Sequence, residues 1–119
     1  MITLPKYHFV IALAFVGLLV TSTAHAYFMT VNDLIPLIQE YEKAEAKHEG
    51  TDYGAAQTFR AYVQGVYDAT ESDYSTPKNF NSRQLCAVVA KYFKENPKEW
   101  NQPAADVVRK ALRQAFPKR

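Results

Sequence analysis

The chain has 119 residues, 14 Lys and Arg against 12 Asp and Glu, and a single cysteine. This is enough for one domain with one core and too little for two. The near balance of charge argues against a nucleic-acid binder, which needs a basic face to displace counterions from phosphates, and one cysteine leaves no internal disulfide.

Residues 1–26 read as a secretory signal peptide. Lys6 supplies a positive start, Phe9 to Val20 form an apolar stretch too short to span a bilayer comfortably, and Ala24-His25-Ala26 fits a small-x-small cleavage site. Cleavage there leaves residues 27–119 as one exported domain with no further membrane contact expected. Small exported domains often reinforce a thin core with disulfides. Here stability must come from packing, and Cys86, inside Leu85-Cys86-Ala87-Val88-Val89, is expected to be a small buried hydrophobe. An exposed thiol would instead allow pairing between two copies of the chain, so a homodimer stays open.

Four helices and no strand are expected, an all-α bundle. Leu34, Leu37, Ile38, Tyr41, Ala44 and His48 recur at helical spacing, predicting a first helix from about Asp33 to His48. With Asp33 as N-cap, Pro36 would be the third helical residue, where a missing N–H costs nothing. Gly50 suits the helix end. The second helix is predicted from about Ala55 to Ala69, with Phe59, Tyr62, Val63 and Val66 on its core face. Ala61, Gly65 and Ala69 form a stripe of small side chains that predicts close approach by another helix. Ser72 to Asn81 is a loop with Pro77 and many short polar residues. Asn81 and Gln84 have capping-box spacing at the start of a third helix, which runs through Leu85, Cys86, Val89, Tyr92 and Phe93 and stops at Asn96-Pro97. Pro103 then stands in the first turn of a fourth helix carrying Ala104, Val107, Val108, Ala111, Leu112 and Ala115, ended by Phe116 and Pro117.

Catalytic side chains are scarce. After leader removal His48 is the one histidine, nothing in the spacing brings it to Cys86, and no Gly-x-Ser-x-Gly elbow or phosphate-binding glycine loop occurs. Glu45 and His48 have the Glu-x-x-His spacing of some helical-bundle metal ligands, but a second copy is lacking, so no metal or other cofactor is expected. This scarcity would fit many binding modules. Asp73, Tyr74, Phe80 and Trp100 fall in predicted loops, where aromatic side chains make good interface anchors; they are the candidate partner-binding residues. For any one of the aromatics the alternative is a lid closing an end of the bundle.

From Ala61 to Pro117 the chain resembles the Rap/Tai-type immunity proteins of bacterial type VI secretion systems. The matching pieces are Ala61-Tyr62-Val63-Gln64-Gly65-Val66-Tyr67-Asp68-Ala69, Pro77 ahead of Gln84-Leu85, and Val88-Val89-Ala90-Lys91-Tyr92-Phe93 with Asn96-Pro97. Pro103-Ala104-Ala105 leading to Ala111-Leu112 and Ala115-Phe116-Pro117 completes the series. Thr30-Val31-Asn32-Asp33-Leu34 looks like the family's lead into its first helix. The resemblance implies a small all-helical, HdeA-like periplasmic protein that binds and neutralises a cell-wall-degrading effector, typically a peptidoglycan amidase. Phe59, Ser75 and Lys118 stand where many relatives look to have cysteine, so the family's disulfide framework is missing. A second function class, an HdeA-like acid-stress holdase or a structural envelope protein, would fit the same helical architecture.

Overall fold

The computed structural model describes residues 28–119, so the expected signal peptide lies outside the described residues. Four helices follow one another: α1 (Val31–Glu45), α2 (Tyr53–Thr70), α3 (Ser82–Glu95) and α4 (Ala104–Ala115), with 3-10 turns at Glu71–Asp73 and Pro97–Glu99. Among the described residues there is no strand, and one isolated antiparallel bridge joins Thr30 to Pro103.

α1 starts earlier than the sequence suggests. Thr30 is the N-cap, and the Asp33 carboxylate, at the third helical position, reaches back to accept from the Thr30 N–H at 2.8 Å. Pro36 is consequently inside the helix, where it has no N–H to offer the Asn32 carbonyl. Both residues are exposed, so water can serve that oxygen. The helix also ends early, at Glu45. The Lys47 N–H donates to the Ala44 carbonyl at 3.1 Å and the His48 N–H to the Lys43 carbonyl at 2.9 Å, the pattern of a Schellman termination. Its left-handed residue is Lys47, at φ 53°, and not a glycine. Gly50, at φ 74°, serves the following turn.

Asp52 caps α2 by accepting from the Ala55 N–H at 3.0 Å, which lets the helix begin at Tyr53. Its inner face is Ala56, Phe59 and Val63, all buried, with Tyr62 and Val66 half-buried beside them. The small stripe does not meet another helix. Ala61, Gly65 and Ala69 are exposed, and a Cβ on Gly65 would find nothing within 4 Å. Two residues of helix correspond to roughly 200° of rotation, so a stripe offset by two from Phe59 and Val63 must face away from the core they enter.

The expected capping box opens α3: Gln84 N–H to Asn81 Oδ1 and Asn81 N–H to Gln84 Oε1 are both 3.0 Å. Leu85, Cys86, Val89, Ala90 and Phe93 then turn inward, and in α4 Ala104, Val107, Val108, Ala111 and Leu112 do the same. All four helices contribute to one cluster. Cys86 is fully buried and unpaired, and burial pushes its thiol pKa up, so it is out of reach of a thiol on a second chain.

The start of α1 is fastened to the connection before α4. Val31 N–H donates to the Gln102 carbonyl (3.1 Å), Asn32 N–H to the Trp100 carbonyl (2.9 Å) and Ala104 N–H to the Met29 carbonyl (2.9 Å). The Asn32 side chain adds a bond to Asn101 Oδ1 at 2.8 Å. Nearby, Glu99 accepts from Lys110 and from the Tyr92 hydroxyl, and these donors hold its carboxyl below the ordinary value of 4.5. Glu40 is likewise lowered, by Lys43 and by the Asp52 N–H at 2.7 Å.

Two outcomes are expected. Gly65→Ala should stabilise the fold by about 0.5 to 1 kcal/mol, because it improves helix propensity at an open position; a denaturant titration checks this, and a loss of stability would place another surface against Gly65. Because Glu40 and Glu99 titrate lower when folded, their contribution is fully present above pH about 4.5 and is lost as pH falls through the lowered values. The melting temperature should thus be flat from pH 7 to about 5 and fall below that, and Glu99→Gln should make the acid fall shallower.

Candidate partner-binding face

The segment between α2 and α3 is held from beneath by a column of aromatic rings. Tyr74 stacks on Tyr67 with centroids 6.0 Å apart, Tyr67 meets Phe80 at 5.9 Å, and Phe80 sits edge-on to Phe116 at 4.8 Å. Polar contacts fix the two tyrosines of the column. The Tyr74 hydroxyl lies 2.8 Å from Thr70 Oγ1, and the Tyr67 hydroxyl 3.1 Å from Thr76 Oγ1. The end of the chain closes over the same segment: Ser75 N–H donates to the Phe116 carbonyl at 3.2 Å, Lys118 Nζ to the Ser72 carbonyl at 2.8 Å, and Arg119 N–H to Ser75 Oγ at 3.0 Å. The tip, Pro77, Lys78 and Asn79, is exposed, as are Glu71 and Ser72 at the start of the segment.

The four candidate residues do not form one set. Tyr74 is only 4 % exposed and belongs to the core. Phe80 is half-buried between Tyr67 and Phe116. Asp73 pairs with Arg109 at 3.2 Å on a partly exposed surface. Trp100 lies beyond the N-terminal end of α4, donating its indole N–H to the Phe93 carbonyl at 2.7 Å, and the length of α4, about 18 Å, separates it from Phe116 and the column. Tyr74 and Phe80 lie at one end of the bundle and Trp100 at the other, with Tyr74 buried and the other two half-buried.

Sequence reasoning missed Tyr67 and Phe116, the other half of the column. Tyr67 lies one position beyond the core-facing Val66, and Phe116 immediately precedes the terminating proline, so each had a local signal but no sign of the other. Beside the column, a cleft of about 350 Å³ opens between α2, the loop and the start of α3, bordered by Asp68 and Lys78, with Tyr67 and Phe80 in its wall and a Gln64–Ser82 hydrogen bond across it. Neither Asp68 nor Lys78 has an ion-pair partner among the described residues. Rings, amides, hydroxyls and two opposite charges suit recognition of a polar surface. The Glu45 and His48 spacing produces no joint site: Glu45 turns to Arg60 and Arg83, while His48 Nδ1 lies 2.7 Å from the neighbouring Glu49 carbonyl.

A family model described as Rap1a immunity proteins matches residues 30–117, from the Thr30 cap of α1 to the proline after α4. No curated protein matches the chain.

The geometry separates the structural share of these residues by denaturant titration. Tyr74→Ala should destabilise the domain by about 3 kcal/mol through cavity formation, and Tyr74→Phe by about 1 kcal/mol through loss of the Thr70 bond. Asp73→Asn, which breaks a surface ion pair, should cost less than about 1 kcal/mol. Equal, small effects for all three would mean that Tyr74 is not part of the core in solution.

Proposed function

The chain belongs to the Rap1a immunity proteins, and from that membership we propose that it is a periplasmic immunity protein that binds and neutralises a peptidoglycan-degrading effector, an amidase, of a type VI secretion system. The observation that carries this reading is the span of the family match: residues 30–117 take in every helix among the described residues and both ends of the bundle. The protein acts as a stoichiometric binder, not through a reaction of its own. It reaches the periplasm through the leader at residues 1–26.

The proposed contact surface is the loop from Asp73 to Phe80. Its exposed tip enters the effector's cleft and blocks substrate access, Asp73 and Phe80 flank the tip, and Tyr74 acts from below by keeping the loop in one shape. A loop already held by the ring column and the 116–119 segment loses little freedom on binding, which favours affinity. Trp100, at the far end of α4, contributes to the bundle and not to this surface.

Co-expression of the exported protein with periplasmically directed effector candidates from its own genome, scored by lysis, tests the reading. One effector's toxicity should be relieved, and Pro77→Asp with Lys78→Glu in the tip should weaken binding by more than 2 kcal/mol while leaving the helical circular dichroism spectrum unchanged, if the tip is an anchor. Relief of no effector would sink the immunity reading in favour of an acid-stress holdase or a structural envelope protein.

A further inference from the structure

Another surface feature carries charge that the loop does not use. At the N-terminal end of α3, Glu45, Lys47, Arg60 and Arg83 border a cleft of about 480 Å³. Through Glu45 and Arg83 it continues into a second cleft of about 500 Å³ between α1 and α3, walled by Tyr41, Ala87 and Ala90 and edged by Glu42, Lys91 and Lys94. The joined groove is lined by five cations against the two carboxylates Glu42 and Glu45, and Glu95 adds a third carboxylate at its margin, 3.9 Å from Lys91. A positive excess remains in the groove.

Internal pairing does not exhaust this groove. Glu45 accepts from Arg60 Nη2 at 3.2 Å and from Arg83 Nε at 2.5 Å, so the two terminal nitrogens of Arg83 have no partner among the described residues on a side chain that is 74 % exposed. Lys47 has no ion-pair partner among them either. The first turn of α3, ending the groove at Ser82 and Arg83, adds the positive end of a helix dipole. Two features then define the occupant. The groove presents the exposed Ala87 beside the buried Tyr41 and Ala90, and its own carboxylates sit among the cations. A continuous polyphosphate would meet those carboxylates, whereas a protein segment can space its acidic side chains between them and set an apolar one against Ala87. The groove also shares Asn81 and Ser82 with the cleft beside the loop, so one partner can cover both.

We propose that the groove between α1 and α3 docks an acidic, partly apolar segment of the effector, its carboxylates seated on Arg83 and Lys91 and an apolar side chain against Ala87. This rests on the immunity reading and deepens it by assigning the chemistry of the partner's surface.

The test uses protein purified from the periplasm and the effector that co-expression identifies, with affinity measured by calorimetry at low and at physiological salt. Arg83→Glu/Lys91→Glu should weaken binding by about 100-fold or more and flatten its salt dependence. Lys98→Glu/Arg113→Glu makes the same change of net charge on exposed cations outside the groove and should bind within about threefold of the unmodified protein. Circular dichroism and melting temperature verify that both variants fold. Unchanged affinity of the groove variant, or equal losses in the two variants, overturns the proposal. It is also overturned if the groove variant loses binding to phosphatidylglycerol vesicles or duplex DNA and keeps its affinity for the effector. Failure of the immunity reading registers earlier and separately, as an unmodified protein that relieves no effector, and the partner assigned here falls with it.

Discussion

With a single thiol and no covalent cross-link, the four helices are held by one apolar seam. Leu34, Ile38 and Tyr41 of α1 meet Phe59 and Val63 of α2, with the Tyr41 and Phe59 rings 5.2 Å apart, and Phe93, Val108 and Leu112 complete the interior from α3 and α4. No charged residue is buried among the described residues; the buried Tyr74 hydroxyl is met by Thr70 Oγ1, and the rest of the interior is governed by shape. Phe59 illustrates the dependence: it is fully buried at the centre of the seam, where loss of its bulk would leave a cavity with no cross-link to hold the helices.

The ion pairs have a different role. Glu42 to Lys94 and Glu45 to Arg83 cross from α1 to α3, and Arg60 lies over the Tyr41 ring at 5.8 Å, yet each pair is substantially exposed. Such pairs contribute little to stability. Their effect is to keep cationic side chains in defined positions beside the groove. The stability of the domain and the charge pattern of its surface are therefore largely independent, and the surface can vary without putting the core at risk.

Much of the architecture was legible because helical periodicity reports burial directly. Phe59 and Val63, Leu85 and Val89, and Val107 and Val108 all turn inward as their spacing implies, and the Asn81–Gln84 box marked the start of α3. The errors have physical causes. Thr30 to Asp33 is also a cap, but Asp33 is itself an acceptable N-cap, and local sequence does not choose between the two when the deciding contacts come from residues 100–104. Alanine and glycine along α2 satisfy both a closely packed face and a bare solvent face. Tyr74 lies in a loop, and loop position says nothing about burial when the rings that cover it, Tyr67 and Phe116, are distant in sequence. The Arg109 to Asp73 pair, 36 residues apart, was invisible for the same reason. Whatever depends on local pattern was readable, and whatever depends on the return of a distant segment was not.

The fastening of Met29, Val31 and Asn32 to residues 100–104 also orders events in time. α1 and α2 are neighbours in sequence and can pair as a local helical hairpin on the timescale of short-loop closure. The bonds from Asn32 to Trp100 and Asn101 close a loop of roughly 70 residues, whose entropic cost is met only once α3 and α4 supply compensating burial. Docking of the first helical turn onto the α3–α4 connection is thus a late step of folding. A chain emerging amino terminus first presents the Val31 and Asn32 N–H groups and the Met29 carbonyl long before their complement exists, and until residues 100–104 follow, these groups are left to water.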